Sequence, residues 1–232
     1  MLAIRRAQER GRTNWDWLDS RHTFSFGEYY DPNHMGFRSL RVINDDRVIP
    51  GAGFGTHGHR DMEILSYVLE GSLAHKDSMG TGSVIRPGEI QMMRAGTGIT
   101  HSEFNQSKVE PVHFLQIWIL PDQRGLKPAY AQQNVDMKCA QSTFSLLASK
   151  DGRDDSIQIH QDVNLWLAVV EADQRRSLPM QPGRQAWTHL ARGTATVNGM
   201  DLAEGDGMAV TSESSLDIVG KESAEVLVFD LA

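Results

Sequence analysis

A single cysteine, Cys139, occurs among the 232 residues. No intramolecular disulfide can form, so the fold rests on its core and its hydrogen bonds, and a reducing, cytoplasmic setting is expected. Thiolate metal sites are excluded for the same reason, leaving nitrogen and oxygen donors for any ion. Positive charge is also short: 23 Lys and Arg stand against 30 Asp and Glu, a net charge of -7. That balance repels phosphate backbones and anionic lipid surfaces, so no direct nucleic-acid binding is expected. The densest basic clusters are only Arg5-Arg6 and Arg175-Arg176, too small for a nuclear-localisation run. Apolar runs near the roughly 18 residues needed to cross a bilayer are missing, and Met1 to Arg10 holds no apolar secretion segment. No membrane association is expected.

What the sequence does contain is a rhythm of strands and turns. Twenty-one glycines punctuate short runs rich in Val, Ile, Leu, Phe and Tyr, whereas strongly periodic helical stretches are scarce. Strands are expected at Leu40 to Ile43, Ile64 to Leu69, Ile90 to Met93, His113 to Leu120, Leu165 to Val170, Trp187 to Leu190 and Val226 to Phe229. The length suits one large or two small domains. Residues 121–141 mix Pro, Gly, Gln and Lys and interrupt the rhythm near the midpoint. The expected organisation is therefore a domain over 1–125, a connection over 126–142 and a second domain over 143–232. Leu190 to Gly193 followed by Thr194 to Asn198 resembles Val68 to Gly71 followed by Ser72 to His75, which hints at two related barrels.

Chemistry concentrates in two short segments. Gly51 to His59 ends in His57-Gly58-His59, and on a strand residues two apart project from one face, so one ion can receive both imidazoles. Further on, His101-Ser102-Glu103 repeats the arrangement with a carboxylate. Two such strands facing each other make a nest of four ligands. Three imidazoles and one carboxylate suit Fe(II), Mn(II), Ni(II), Co(II), Cu(II) or Zn(II) rather than Ca(II) or Mg(II), with Fe(II) the first choice. An octahedral ion held this way keeps two adjacent positions open, which argues for catalysis. Glu63, four residues after His59, shares its parity if the strand is unbroken and is a rival carboxylate. His22, His34, His113 and His189 have no ligand-type residue two positions away. His75 and His160 have only Asp77 and Asp162, and all six are read as structural, although His113 could approach the pocket.

These segments resemble the cupin superfamily, whose first motif is matched by Gly51, His57, His59 and Glu63. Departures from the second motif, with Arg94 in place of a proline and four residues between Gly96 and His101, are the pattern of the pirin family. So are the run from His22 to Pro32, the stretch from Phe37 to Asp46 and the segment Asp61 to Leu65. The resemblance implies an all-β bicupin of two double-stranded β-helix barrels. It assigns the metal ligands to His57, His59, His101 and Glu103, which demotes Glu63. It also implies a degenerate C-terminal cupin; counting back from Gly193 as from Gly71 reaches Pro179 and Gln181 at the ligand places, and no histidine follows His189.

Bacterial pirins resemble quercetin 2,3-dioxygenases, which implies a planar flavonol and dioxygen as substrates, ring opening and release of carbon monoxide. Glu103, if it ligates through one oxygen, can act as general base. Phe24, Phe26, Met62 and Phe104 are available to line an apolar pocket. Two other classes share the same ligands: a regulatory metal protein like the pirin co-regulators of animal nuclei, and a metalloenzyme using its ion purely as a Lewis acid. A monomer is expected, since two barrels in one chain already cover sheet edges.

Overall fold

A computed structural model describes every residue from Met1 to Ala232. The chain divides into two compact units, one of Gly11–Val135 with Ile159–Gln161, the other of Met1–Arg10, Asp136–Gln158 and Asp162–Ala232. All the long expected strands form. No helix is long and apolar enough to cross a membrane.

The chain opens with β1 (Leu2–Arg5), which pairs antiparallel with Gly207–Val210, so the first ten residues belong to the unit built mainly from the C-terminal half. The next eleven strands build the other unit: β2 (Gly11–Trp15), β3 (Leu18–His22), β4 (Leu40–Val48), β5 (Gly53–His59), β6 (Glu63–Glu70), β7 (Leu73–Asp77), β8 (Gly82–Ile85), β9 (Glu89–Arg94), β10 (Ile99–Asn105), β11 (Val112–Ile119) and β12 (Ala129–Asn134). They form a seven-stranded sheet ordered β12-β9-β6-β11-β4-β3-β2 and a four-stranded sheet ordered β5-β10-β7-β8. Residues 129–134, expected in the connection, instead form the edge strand beside β9. Their amides find partners in that ladder, which an isolated linker would have to leave to water.

Burial alternates along β3 and β10 as a half-buried sheet requires, whereas the central strands β6 and β11 are buried along nearly their whole length. Leu18, Val48, Val68, Leu73, Ile85, Val112 and Phe114 form one buried cluster, and Ile64, Met93, Ala95 and Ile99 another. Gly96 turns the chain from β9 towards β10 at φ +47°, and a Cβ there would sit 1.9 Å from the Leu126 carbonyl oxygen, so only glycine fits.

The second unit also has a seven-stranded and a four-stranded sheet. Its interior is filled by side chains such as Met180, Leu190, Val197, Met208, Leu216, Ile218 and Val226. Pro179 ends the strand Arg175–Pro179, and Gln181 follows it outside any strand.

Candidate metal centre

β5 and β10 are neighbours in the four-stranded sheet, and His57 lies directly opposite His101. They pair edge to edge within one sheet instead of facing each other across a barrel. The register slips between His101 and Glu103, which pairs with Phe54, so β5 carries one extra residue near Gly55. Such a bulge re-aims the side chains around it. The freed Gly55 carbonyl accepts a hydrogen bond from His57 Nδ1 at 2.8 Å. A carbonyl only accepts, so Nδ1 carries a proton, and in the neutral ring Nε2 is then the nitrogen with the lone pair.

Three Nε2 nitrogens converge here. His101 Nε2 lies 3.0 Å from His59 Nε2 and 3.1 Å from His57 Nε2. One ring nitrogen bears at most one proton, so His101 cannot donate to both, and the remaining lone pairs repel unless a cation sits among them. Nitrogens about 2.1 Å from one ion on adjacent octahedral positions are ~3.0 Å apart, against ~3.4 Å for a tetrahedron, so the spacing fits an octahedral ion. Burial lowers the His59 pKa to about 4, with electrostatic repulsion from the neighbouring His57 adding to the effect. Burial takes His101 to about 2, with His57, His59 and His75 adding to the effect. Both rings are neutral at pH 7, as ligation demands.

Glu103 is buried in the same cavity wall as His57 and His59. A ring nitrogen of His101, one of His75 and a Glu103 oxygen lie within 4.8 Å of one another, a second cluster that shares His101 with the first. His75, read from the sequence as structural, donates from Nε2 to Asp77 Oδ2 at 3.2 Å, while its Nδ1 has no partner. Glu103 Oε1 accepts from Ser66 Oγ at 3.2 Å and Oε2 accepts from Gln116 Nε2 at 2.7 Å. Burial still dominates and raises its carboxyl to about 7.

The rival Glu63 lies elsewhere. β5 ends at His59, and the chain bends through Asp61 at φ +49° before β6 begins, so the strand parity is broken. Glu63 Oε1 instead pairs with Arg94 Nε at 2.9 Å and accepts from the His160 amide at 3.1 Å. His113 also serves structure, donating from Nε2 to Asp45 Oδ1 at 2.7 Å.

Sequence reasoning missed the support for Glu103. Gln116 lies opposite Asn44 on one side and Ser66 on the other; Asn44 in turn lies opposite His22, and Ser66 opposite Gln91, which faces Gln132. These six residues form one polar rung across the seven-stranded sheet. His22 Nδ1 and Asn44 Oδ1 are 2.8 Å apart, and Gln91 Nε2 donates to Ser66 Oγ at 3.3 Å. Trp118 Nε1 donates to Gln116 Oε1 at 3.1 Å. An indole only donates, so this bond fixes which end of the Gln116 amide faces Glu103. The available signal was a polar residue at the centre of each apolar run, Ser66 in β6, Gln91 in β9 and Gln116 in β11.

Beside these residues opens a cavity of about 540 Å³, within the usual range for small-molecule sites. Aromatic rings form its walls: Trp17 meets Phe54 edge to face at 5.1 Å, and Trp118 meets Phe26 at 5.2 Å and His59 at 4.9 Å. Of the pocket candidates only Phe26 lines it. Phe24 is buried, Met62 packs beside Ile64 and Met93, and Phe104 projects outward because its parity opposes that of Glu103.

Comparison with known proteins agrees along the whole chain. The pirin family model matches residues 3–119, and the quercetinase C-terminal cupin domain matches residues 146–231. The quercetin 2,3-dioxygenase of Escherichia coli (strain K12) is 47% identical over 231 residues, covering 100% of this chain and 99% of that protein. A putative quercetin 2,3-dioxygenase of Pasteurella multocida (strain Pm70) is 41% identical, with 100% of both chains covered. The bacterial pirin YhhW of Escherichia coli, solved in complex with nickel(II), is 46% identical with a TM-score of 0.95 over 100% of this chain and 99% of that one.

Proposed function

This chain belongs to the pirin family, and on that premise we propose that it is a metal-dependent dioxygenase that opens the heterocycle of a flavonol such as quercetin with dioxygen and releases carbon monoxide. One observation carries this function: the convergence of the His57, His59 and His101 nitrogens beside a cavity that aromatic rings help to line.

His57, His59 and His101, with Glu103 as fourth ligand, offer three nitrogens and one oxygen, and we assign Fe(II) to them. Mn(II), Ni(II), Co(II), Cu(II) and Zn(II) suit the same donors. Once bound, such an ion lowers the pKa of a coordinated hydroxyl and supplies the redox or Lewis-acid chemistry that dioxygen requires.

The remaining work falls to side chains. Trp17, Phe54, Phe26 and Trp118, which line the cavity, bind a flat ring system and exclude water from it. Glu103 takes the proton of the flavonol hydroxyl on a carboxylate oxygen. Burial raises its proton affinity and so opposes the loss of basicity that ligation to a cation brings. Gln116 holds Oε2 in place while Ser66 attends Oε1. A serine hydroxyl can donate or accept, so Ser66 can turn to accept from Glu103 once the carboxyl is protonated.

Oxygen uptake and carbon monoxide release, measured with Fe(II)-loaded protein and quercetin, test this function. Wild type is expected to turn over, and His101→Ala to lose both metal and activity. Glu103→Gln is expected to keep metal but lose about 10²-fold or more in turnover, the usual range for a lost general base. Wild-type turnover by a fully loaded Glu103→Gln variant would rule out the base role. A loaded wild type that consumes no oxygen would overturn the dioxygenase function in favour of a Lewis-acid or regulatory one.

A further inference from the structure

Asp46 lies on β4, paired with Ser20 on β3 and Phe114 on β11, one pair along from the polar rung. It is only 2% exposed, yet it lines the same cavity as His57 and His59. Ser20 donates to its carboxylate, while Asp45 and Glu103 add negative charge nearby. Its Oδ1 has no hydrogen-bond partner in the protein. A buried acceptor left without a donor costs about 1–3 kcal/mol. No Lys or Arg lines the cavity, so no protein cation answers this carboxylate. The group that fits is a donor carried in by the ligand, and the aromatic side chains Trp17, Phe26, Phe54 and Trp118 that line the same cavity suit a ligand built on rings.

We infer that Asp46 is a specificity-determining residue: its carboxylate accepts a hydrogen bond from a phenolic hydroxyl of the bound flavonol, distinct from the hydroxyl presented to the metal ligands. This assignment rests on the flavonol dioxygenase function proposed above. Burial raises the Asp46 carboxyl to about 7, and a phenolic donor would relieve that penalty on its charged form. A site built around a buried acceptor rejects analogues that lack the matching hydroxyl, because the acceptor is then left dry.

The test is a binding measurement on Fe(II)-loaded protein without oxygen, so that no turnover intervenes. Quercetin is compared with 3-hydroxyflavone, which keeps the ring system and the 3-hydroxyl but none of the others. Wild type is expected to favour quercetin by about 10- to 100-fold, the worth of one hydrogen bond to a charged group. In Asp46→Leu, which is nearly isosteric and has no acceptor, the two affinities are expected to converge. Asp46→Asn keeps one acceptor oxygen and is expected to retain part of the preference, which keeps the test decisive should the leucine variant fail to fold. Equal binding by wild type, or a full preference surviving in Asp46→Leu, would remove Asp46 from recognition and leave the flavonol function standing. Failure of wild type to bind either flavonol would overturn both.

Discussion

His101 and Glu103 stand two positions apart on β10, and burial moves their proton affinities in opposite directions. His101 falls to about 2 and His59 to about 4 from an ordinary 6.5, while Glu103 rises to about 7 from 4.5 and Asp46 to about 7 from 3.8. Linkage makes these shifts a statement about stability. As pH falls from 6.5 to 4.5, the unfolded chain gains protons on the two histidines that the folded chain refuses, which destabilises the fold. Over the same window the folded chain holds protons on Glu103 and Asp46 that the unfolded chain has released, which stabilises it. Two groups oppose two, so the site's contribution to metal-free stability should be nearly flat there. Below about 4 the carboxyls become protonated in both states, and only the histidine loss continues, towards pH 2. The metal-loaded protein should differ, since its ligands must stay deprotonated and stability should drop as soon as pH passes below 6.5. Urea midpoints across pH, with and without metal, check both curves. A metal-free midpoint already falling steeply at pH 6 would mean that Glu103 and Asp46 are ionised in the folded chain.

At the scale of the strand, the two candidate pairs were visible because period-two spacing is a local property: His57 and His59, or His101 and Glu103, share a face wherever their strand pairs. The polar rung was not, because His22, Asn44, Gln116, Ser66, Gln91 and Gln132 come from six strands and meet only once the register is set. Glu63 misled for the complementary reason, since its apparent parity with His59 ends where Asp61 bends the chain. The close approach of β5 to β10 leads to a prediction. A Cβ on Gly53 would lie 2.2 Å from the Glu103 carbonyl oxygen and 2.5 Å from the Phe104 Cα, so backbone must give way. Gly53→Ala should therefore push β5 from β10 at the Gly53–Phe104 pair, next to the pair of Phe54 with Glu103, costing about 1–3 kcal/mol. Gly55→Ala is the control, because nothing lies within 4 Å of a Cβ there. Metal content and thermal midpoint should drop in the first variant and hold in the second. Equal metal binding by both would mean that the strand spacing does not set the ligand geometry.

Across the whole molecule, the all-β class and the long strands follow from composition and from the rhythm of apolar runs and glycine turns, whereas the membership of the units does not. Residues 1–10 precede the site-bearing strands in sequence, so a linear reading assigns them to 1–125. Their partners are some two hundred residues away, and pairing at that separation leaves no local trace in four residues such as Leu2–Arg5. Leu2 and Ile4 pack against the core of the unit built from the C-terminal half, and β1 covers the Gly207–Val210 edge. Arg6 Nη1 donates to Asp206 Oδ2 at 2.7 Å, and the Ala7 amide donates to Asp206 Oδ1 at 2.7 Å. Removing Met1–Arg10 therefore strips one edge strand and two apolar anchors from that unit and leaves every proposed metal ligand in place. We expect that truncation to lower the stability of this unit by about 2–4 kcal/mol, from lost apolar burial and ladder hydrogen bonds, while the metal content stays at that of the full chain. Limited proteolysis separates the outcomes: new cuts should fall within Asp162–Ala232 and spare Gly11–Val135. Cuts in Gly11–Val135 together with loss of metal would show that the N-terminal segment supports the site-bearing unit instead, contrary to the strand pairing on which the expectation is built.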